Sequence, residues 1–168
     1  MALDFKGPTV LGLNRHGVPL QPGTDRVKMQ QGAYVISEDP DYKITFVSTG
    51  GDLFRAVKAS ELFQKAGTPT RVVSMPSMRT FEQQSAEYQL SIFPVDGRPV
   101  ISYEAMSTHG WAKYATASIG HNDFGTTVDA KEVYPHFKLT EQDVFERVTA
   151  YLAALGERNP HLVPWRNI

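Results

Sequence analysis

The five histidines are the first side chains to consider as catalytic groups or metal ligands. They are His16, His109, His121, His136 and His161. No two of them have the four-residue helical spacing of a zinc-binding pair. Glu104 with His109, and His121 with Asp123, could meet at the end of a strand and hold a metal ion. Histidines satisfied by contacts at a surface or interface are the favoured interpretation, so we predict no metal ligand in this chain.

The chain also lacks the patterns of nucleophilic catalysis. It contains no cysteine, which excludes a thiolate nucleophile, a thiolate metal site and a disulfide framework. It contains no Gly-x-Ser-x-Gly sequence that would present a serine on a sharp turn. No pair of carboxylates stands out as a general acid and base. We therefore predict that this chain has no catalytic residue.

The turn Gly50-Gly51-Asp52 is the recognisable position for a ligand, because it joins an apolar run to an amphipathic segment. Free backbone N–H groups at the start of a helix can hold an anion. The turn matches neither Gly-x-Gly-x-x-Gly nor a P-loop, and the Asp52 carboxylate would repel a phosphate. Glycines that serve a tight turn are the favoured interpretation. An independent small-molecule or nucleotide-binding module is the alternative.

The segments on either side of this turn form a strand, a helix and a second strand. Residues 44–47 are an apolar run typical of a strand buried on both faces. In residues 52–66 apolar side chains recur every three or four positions, which predicts an amphipathic helix that ends at Gly67. Residues 70–75 form the second strand, which Pro76 stops. Short connections between these elements predict a right-handed crossover that joins parallel strands.

The remaining elements are predicted from the same kinds of pattern. Residues 32–37 form a strand, and the turn at 38–41 predicts an antiparallel hairpin between it and residues 44–47. Thr80 is the predicted N-cap of a helical stretch in two pieces, and Thr140 caps the last helix, which ends at Gly156. The other predicted elements are the two-piece stretch at 77–92, strands at 99–104 and 116–119, a helix at 130–137 and a non-helical tail at 159–168.

These elements together predict an α/β fold. About five strands alternate with about four helices, which is typical of a three-layer α/β/α sandwich. The sheet is mixed and five-stranded, mostly parallel with one antiparallel edge strand.

Composition and charge limit the classes of function. The 168 residues include 17 basic and 18 acidic side chains, for a formal net charge of −1, so there is no basic face for nucleic acid. No apolar run approaches the roughly 20 residues that span a bilayer, and no signal peptide opens the sequence. These features predict an intracellular, soluble protein.

Residues 8–13 are an apolar run that lacks strand neighbours near it in the sequence. A strand of this kind needs partners on both sides, because leaving its side chains in water forgoes about 1.5–3 kcal/mol each. We infer that it is the last strand of an upstream domain. Residues 1–31 are then a remnant of that domain with a linker, and residues 32–168 form the main domain.

Several short runs together resemble the carboxy-terminal region of the transketolase family, which includes the dihydroxyacetone synthases. The runs are Leu13-Asn14-Arg15, Gly32-Ala33-Tyr34-Val35, Ser48-Thr49-Gly50, Arg71-Val72-Val73-Ser74-Met75-Pro76-Ser77, Tyr103-Glu104-Ala105, Trp111-Ala112-Lys113-Tyr114 and Asp123-Phe124-Gly125. They are specific as a set, in order and spacing. The resemblance implies that residues 1–31 belong to the end of a pyrimidine-binding domain and that residues 32–168 are the carboxy-terminal domain.

The resemblance also implies how activity is divided. Full-length members use thiamine diphosphate and a divalent metal to move a two-carbon ketol unit between sugar phosphates, or to formaldehyde. The family's cofactor lies between domains that this chain lacks. The chain is therefore expected to be structural, to support a homodimer with its missing domains, and to bind no cofactor alone. A separate subunit of a split transketolase remains an alternative to a piece of one chain.

One site residue follows from the resemblance. The family has an arginine in a Ser-Arg-Gln-x-x-Pro motif that contacts the substrate phosphate, and Arg15 occupies that position. Here Asn14 and His16 replace the serine and the glutamine, although an arginine can still form a bidentate phosphate contact. The final Arg166-Asn167-Ile168 is not a Ser-Lys-Leu peroxisomal signal. The expected location is the cytoplasm, with the peroxisome of the dihydroxyacetone synthases as the alternative.

Overall fold

The computed structural model describes residues 5–15 and 17–168, and these contain a six-stranded sheet with helices on both faces. The strands are β1 (Tyr34–Glu38), β2 (Ile44–Ser48), β3 (Thr70–Ser74), β4 (Val100–Tyr103), β5 (Ala117–Ile119) and β6 (Arg166–Asn167). The α-helices are α1 (Leu53–Lys65), α2 (Met78–Glu82), α3 (Ala86–Ile92), α4 (Ala130–His136) and α5 (Glu141–Leu155). The order across the sheet is β1-β3-β2-β4-β5-β6. The predicted α/β/α class is confirmed.

Two apolar layers hold the helices against the sheet. On one face, Phe46 of β2 and Phe63 of α1 pack with their ring centroids 5.6 Å apart, and Val144 and Val148 of α5 complete this layer. On the other face, Val47 and Phe81 belong to a second cluster with Ile92 and Trp111. Every residue of β2 and β3 is buried, as expected for strands with helices on both sides.

The predicted crossover around α1 is confirmed. β2 and β3 pair in parallel, with Phe46 opposite Val72 and Val47 opposite Val73. β4 pairs in parallel with the other side of β2, which makes β2 a central strand.

The predicted hairpin between β1 and β2 is wrong. β1 is antiparallel and lies at an edge, as expected, but it pairs with β3, with Tyr34 opposite Ser74. The turn between β1 and β2 passes over the first residue of β3: the Thr70 N–H donates to an Asp39 carboxylate oxygen at 2.8 Å, and the Asp39 N–H donates to the Thr70 carbonyl. Both edges of β2 are occupied by parallel neighbours, so β1 pairs one strand further out.

The predicted count of five strands is also wrong, because the tail contributes β6. Arg166 and Asn167 pair in parallel with β5 at the end of the sheet. The Trp165 indole N–H donates to Ser118 Oγ at 3.1 Å, and the Ile168 N–H donates to the Ser118 carbonyl at 2.9 Å. These contacts flank the two-residue strand and hold it in place. A polar strand this short shows no alternation of apolar and polar residues, so its pattern does not predict it.

The helix starts agree with the sequence in one case and differ in another. Thr140 and Asp143 form the predicted capping box of α5. The stretch at 77–92 is in two helices, as expected, but Ser77 is the N-cap of α2 rather than Thr80, since Ser77 Oγ accepts from the Thr80 N–H. The N-cap therefore lies three residues before the predicted one.

Residues 8–13 do not form a strand in this chain. Val10 is 94% exposed, Leu11 67% and Leu13 84%. The following linker is anchored at Gly23, which has φ +84° and where a side chain would overlap the Ile36 carbonyl of β1. Within residues 5–15 and 17–168, no helix is long and apolar enough to cross a membrane.

Candidate functional site at the carboxyl edge of the sheet

The carboxyl ends of β2 and β4 mark the point where the chain changes direction across the sheet. The connection that follows β2 leads to β3 on one side, and the connection that follows β4 leads to β5 on the opposite side. In open α/β sheets, the crevice beside such a switch point is where ligands bind. Residues 49–52 follow β2 here, and residues 104–107 follow β4.

Two carboxylates join these two loops by reciprocal hydrogen bonds. Glu104, after β4, accepts from the Thr49 N–H at 3.1 Å. Asp52, after β2, accepts from the Ala105 N–H at 2.7 Å. Both side chains are buried, with Glu104 6% and Asp52 8% exposed. We call this pair of contacts the carboxylate brace, and it fixes the two loops relative to each other.

Side chains of three helices, α1, α4 and α5, extend the brace. The Tyr134 hydroxyl of α4 donates to the second Asp52 oxygen at 2.8 Å. The Arg55 guanidinium of α1 lies over the Tyr134 ring at 3.6 Å from its centroid. Arg55 also pairs with Glu141 of α5 at 3.1 Å. The brace therefore ties α1, α4 and α5 to the edge of the sheet.

The electrostatics of the brace are dominated by burial and by the closeness of its two acids. Burial first, and then the charge of Asp52, raise the pKa of Glu104 to about 8, against a smaller opposing effect of the Thr49 N–H. Burial and Asp52 likewise raise the pKa of the Tyr134 hydroxyl. With its pKa at about 8, Glu104 is expected to keep its proton at neutral pH.

This arrangement disfavours an anion at the Gly50 turn. The Thr49 and Ala105 N–H groups, which a phosphate would need, already donate to the protein's own carboxyl groups. Gly50 has φ +53°, the left-handed region that favours glycine. The geometry favours the interpretation of these glycines as turn residues.

Arg15, the predicted phosphate-binding residue, lies beside this edge. A side chain at Gly51 would overlap the Asn14 amide, so the segment before Arg15 rests directly on the turn. Arg15 itself is exposed. His16, the next residue of the motif, lies outside the described residues.

The structure shows the surroundings of the two histidine–carboxylate pairs that were considered as possible metal ligands. Glu104 is buried in the brace, whereas His109 is exposed. The His121 ring stacks on Phe137, with centroids 3.9 Å apart, and its Nε2 bonds to the Phe124 carbonyl at 2.8 Å. In the part of the chain that the structure describes, no group of three or more His, Asp or Glu side chains is placed to hold a metal ion.

The sequence of this domain matches a known protein family. The family model described as the Transketolase-like TK C-terminal domain matches residues 32–140. The chain belongs to the transketolase family.

Relatives and solved structures agree with this membership. The chain is 38% identical over 140 residues to transketolase 1 of Candida albicans, covering 83% of this chain and 20% of that protein. It is 30% identical over 163 residues to the dihydroxyacetone synthase of Candida boidinii, covering 96% of this chain and 23% of that protein. The crystal structure of a Pichia stipitis transketolase complex with sedoheptulose-7-phosphate matches with a TM-score of 0.80 at 36% identity, over 84% of this chain and 21% of that one.

The transketolase match covers a defined part of the enzyme. The chain spans about a fifth of the length of the curated relatives that it matches. It corresponds to the C-terminal domain of a transketolase-type enzyme, as the resemblance implied.

The carboxylate brace was not predicted from the sequence. From the sequence, Asp52 is treated as a charge that would repel a phosphate and Glu104 as a possible metal ligand, and the two are not paired. Both stand just after adjacent parallel strands, and this common position is the signal that could have paired them.

Proposed function

We propose that this chain is the structural, dimer-supporting C-terminal domain of a thiamine-diphosphate-dependent, transketolase-type enzyme. The enzyme would transfer a two-carbon ketol unit between sugar phosphates, or to formaldehyde. The chain alone is not catalytic and needs the other domains of the enzyme as partners. The match of residues 32–140 to the C-terminal domain of the family carries the proposal. Residues 1–31 are assigned to the preceding pyrimidine-binding domain and the linker, and the cytoplasm is the proposed location.

The residues of this chain do not fit the family's cofactor. At the switch point, the backbone N–H groups of Thr49 and Ala105 are bonded to carboxyl groups, so they do not donate to a diphosphate. The buried Asp52 carboxylate there would repel one. Thiamine diphosphate and its divalent metal therefore belong to the other domains, and no step of the reaction is assigned to residues described here.

Arg15 is the proposed exception, as a substrate phosphate contact. Its guanidinium is exposed, at the end of a segment that Asn14 seats on the Gly51 turn. A planar guanidinium suits bidentate binding of a phosphate that arrives with substrate.

Complementation tests the proposal. A Candida albicans transketolase 1 truncated before the region that matches this chain is mixed with this chain, and ketol transfer is measured with thiamine diphosphate and magnesium. We expect no turnover and no calorimetric cofactor binding by the chain alone, and turnover by the mixture. Turnover or cofactor binding by the chain alone, or an inactive mixture, would contradict the proposal.

The same mixture tests Arg15. Arg15→Ala should raise KM for a phosphorylated donor about ten-fold or more, the loss expected for a hydrogen bond to a charged group. KM for a donor without phosphate should not change. Arg26→Ala removes another exposed arginine of the linker and is the matched control. An equal effect of the two substitutions would argue against a specific contact.

A further inference from the structure

The carboxyl edge of the sheet exposes two large apolar side chains beside the carboxylate brace. Phe124 is 92% exposed and Met106 is 73% exposed. Aromatic residues and methionine are enriched in protein interfaces relative to the rest of a surface. We call Met106 and Phe124 the carboxyl-edge surface.

A continuous set of contacts links Met106 and Phe124 to the segment that ends at Asn14. Asn14 rests on Gly51, and Asp52 accepts from the Ala105 N–H, immediately before Met106. The Met106 carbonyl in turn accepts from the His121 N–H at 3.0 Å. The His121 ring reaches the Phe124 carbonyl. The exposed segment at 10–13 and the exposed Phe124 therefore belong to one edge of the domain.

Phe124 is exposed on a loop that is held in place. His121, which bonds to the Phe124 carbonyl, stacks on Phe137 after α4. Asn122 of the same loop accepts from the Thr108 N–H at 2.9 Å. A partner would meet a positioned aromatic side chain, and little conformational entropy would be lost when it docks.

We propose that the carboxyl-edge surface is where this domain docks on the preceding domain of the enzyme, with Phe124 as the main anchor. This inference rests on the proposed function. The occupant follows from the chain itself: residues 8–13, whose apolar side chains lie in water, lead through Asn14 onto this same edge. A domain joined at that point is held above Met106 and Phe124 rather than at the opposite edge.

The amino edge of the sheet offers a matched control. Leu162 is 83% exposed, and the neighbouring His161 ring bonds to the carbonyl of Arg98, just before β4. A single exposed leucine there is ordinary for a protein surface.

The test measures, by calorimetry, the binding of this chain to the truncated Candida albicans transketolase 1. The wild-type chain, Phe124→Ser and Leu162→Ser are compared, and thermal unfolding checks that each is folded. We expect Phe124→Ser to weaken binding at least ten-fold and Leu162→Ser to change it less than two-fold.

The outcomes separate this inference from the proposed function. Equal binding of wild type and Phe124→Ser would overturn the assignment of the surface and leave the proposed function standing. Absence of binding by the wild-type chain would overturn both. A dimer of the isolated chain in light scattering that Phe124→Ser abolishes would assign the surface to a second copy, and so would also overturn the inference.

Discussion

Glu104 is an acidic residue in an environment that water hardly reaches. Its carboxyl group is buried beside Asp52, and its pKa is raised from 4.5 to about 8. Between these two values the folded protein binds a proton that the unfolded chain has released. The free energy of unfolding must therefore fall as pH rises through this range.

This fall in the free energy of unfolding with rising pH can be measured. The wild-type chain should lose on the order of a few kcal/mol of stability between about pH 5 and pH 8 because of this group. Glu104→Gln keeps an oxygen that can accept from the Thr49 N–H but cannot ionise, so its loss over the same range should be smaller. Urea unfolding from pH 5 to pH 9 measures the difference. Parallel profiles for the two proteins would mean that Glu104 titrates normally.

Arg15 and Phe124 are two further single residues whose substitution is informative. Each is an exposed side chain at the carboxyl edge, so neither should contribute much to the stability of the isolated domain. Their substitutions test contacts with phosphate and with a neighbouring domain, respectively, rather than folding.

At the scale of elements, the sheet order depends on what lies at each edge. β2 is buried along its whole length and has parallel neighbours on both sides. β6 pairs with β5 on one side, and the residues that flank it are also held: Trp165 donates to Ser118, and Ile168 packs against the main core and accepts from the Arg147 guanidinium of α5. The tail is therefore an element whose contribution can be measured by removing it.

Deleting residues 165–168 should destabilise the domain by about 2 kcal/mol, because buried apolar surface of Trp165 and Ile168 is lost. The open edge of β5 should also make the shortened chain more prone to aggregate. Arg166→Ala is the control, since its side chain is exposed while its backbone still pairs with Ala117. A deletion as stable as the control in urea unfolding would show that β6 does not support the sheet.

At the scale of the whole molecule, the folded core and the amino-terminal segment are distinct. Residues 5–13 are all exposed, and the two apolar clusters are built from residues 33–168. The core therefore buries its own side chains without this segment, as an independently folding domain should.

A chain that begins at Asn14 should have a thermal midpoint within about 2 °C of the full chain, because surface changes usually alter stability by less than about 0.5 kcal/mol. The same deletion should weaken binding to the truncated transketolase, because it removes the segment that we assign to the last strand of the preceding domain. Calorimetric scanning and titration give the two values. A large fall in the midpoint would mean that the segment stabilises this domain directly.

Much of the fold could be predicted from local pattern. The apolar run at 44–47, the spacing of Leu53, Ala56, Ser60 and Phe63, and the capping box at Thr140 are all encoded within a few residues. The structure confirms β2, α1 and α5 at nearly the predicted bounds. Short-range patterns of this kind express the periodicity of burial in one element, and so they survive in a single sequence.

The pairing of β1 with β3, the addition of β6 and the carboxylate brace were decided by tertiary structure. Hydrogen bonds between backbones leave no trace in side-chain pattern, so a sequence does not state which strand is the neighbour of β1. The brace joins Thr49 to Glu104 and Asp52 to Ala105 across 55 and 53 positions. Those partners meet only because β2 and β4 lie side by side, and burial then changes the chemistry of their carboxyl groups. The sequence alone determined most of the elements and, through its resemblance, the family; packing decided the sheet order and which residues face each other at the carboxyl edge.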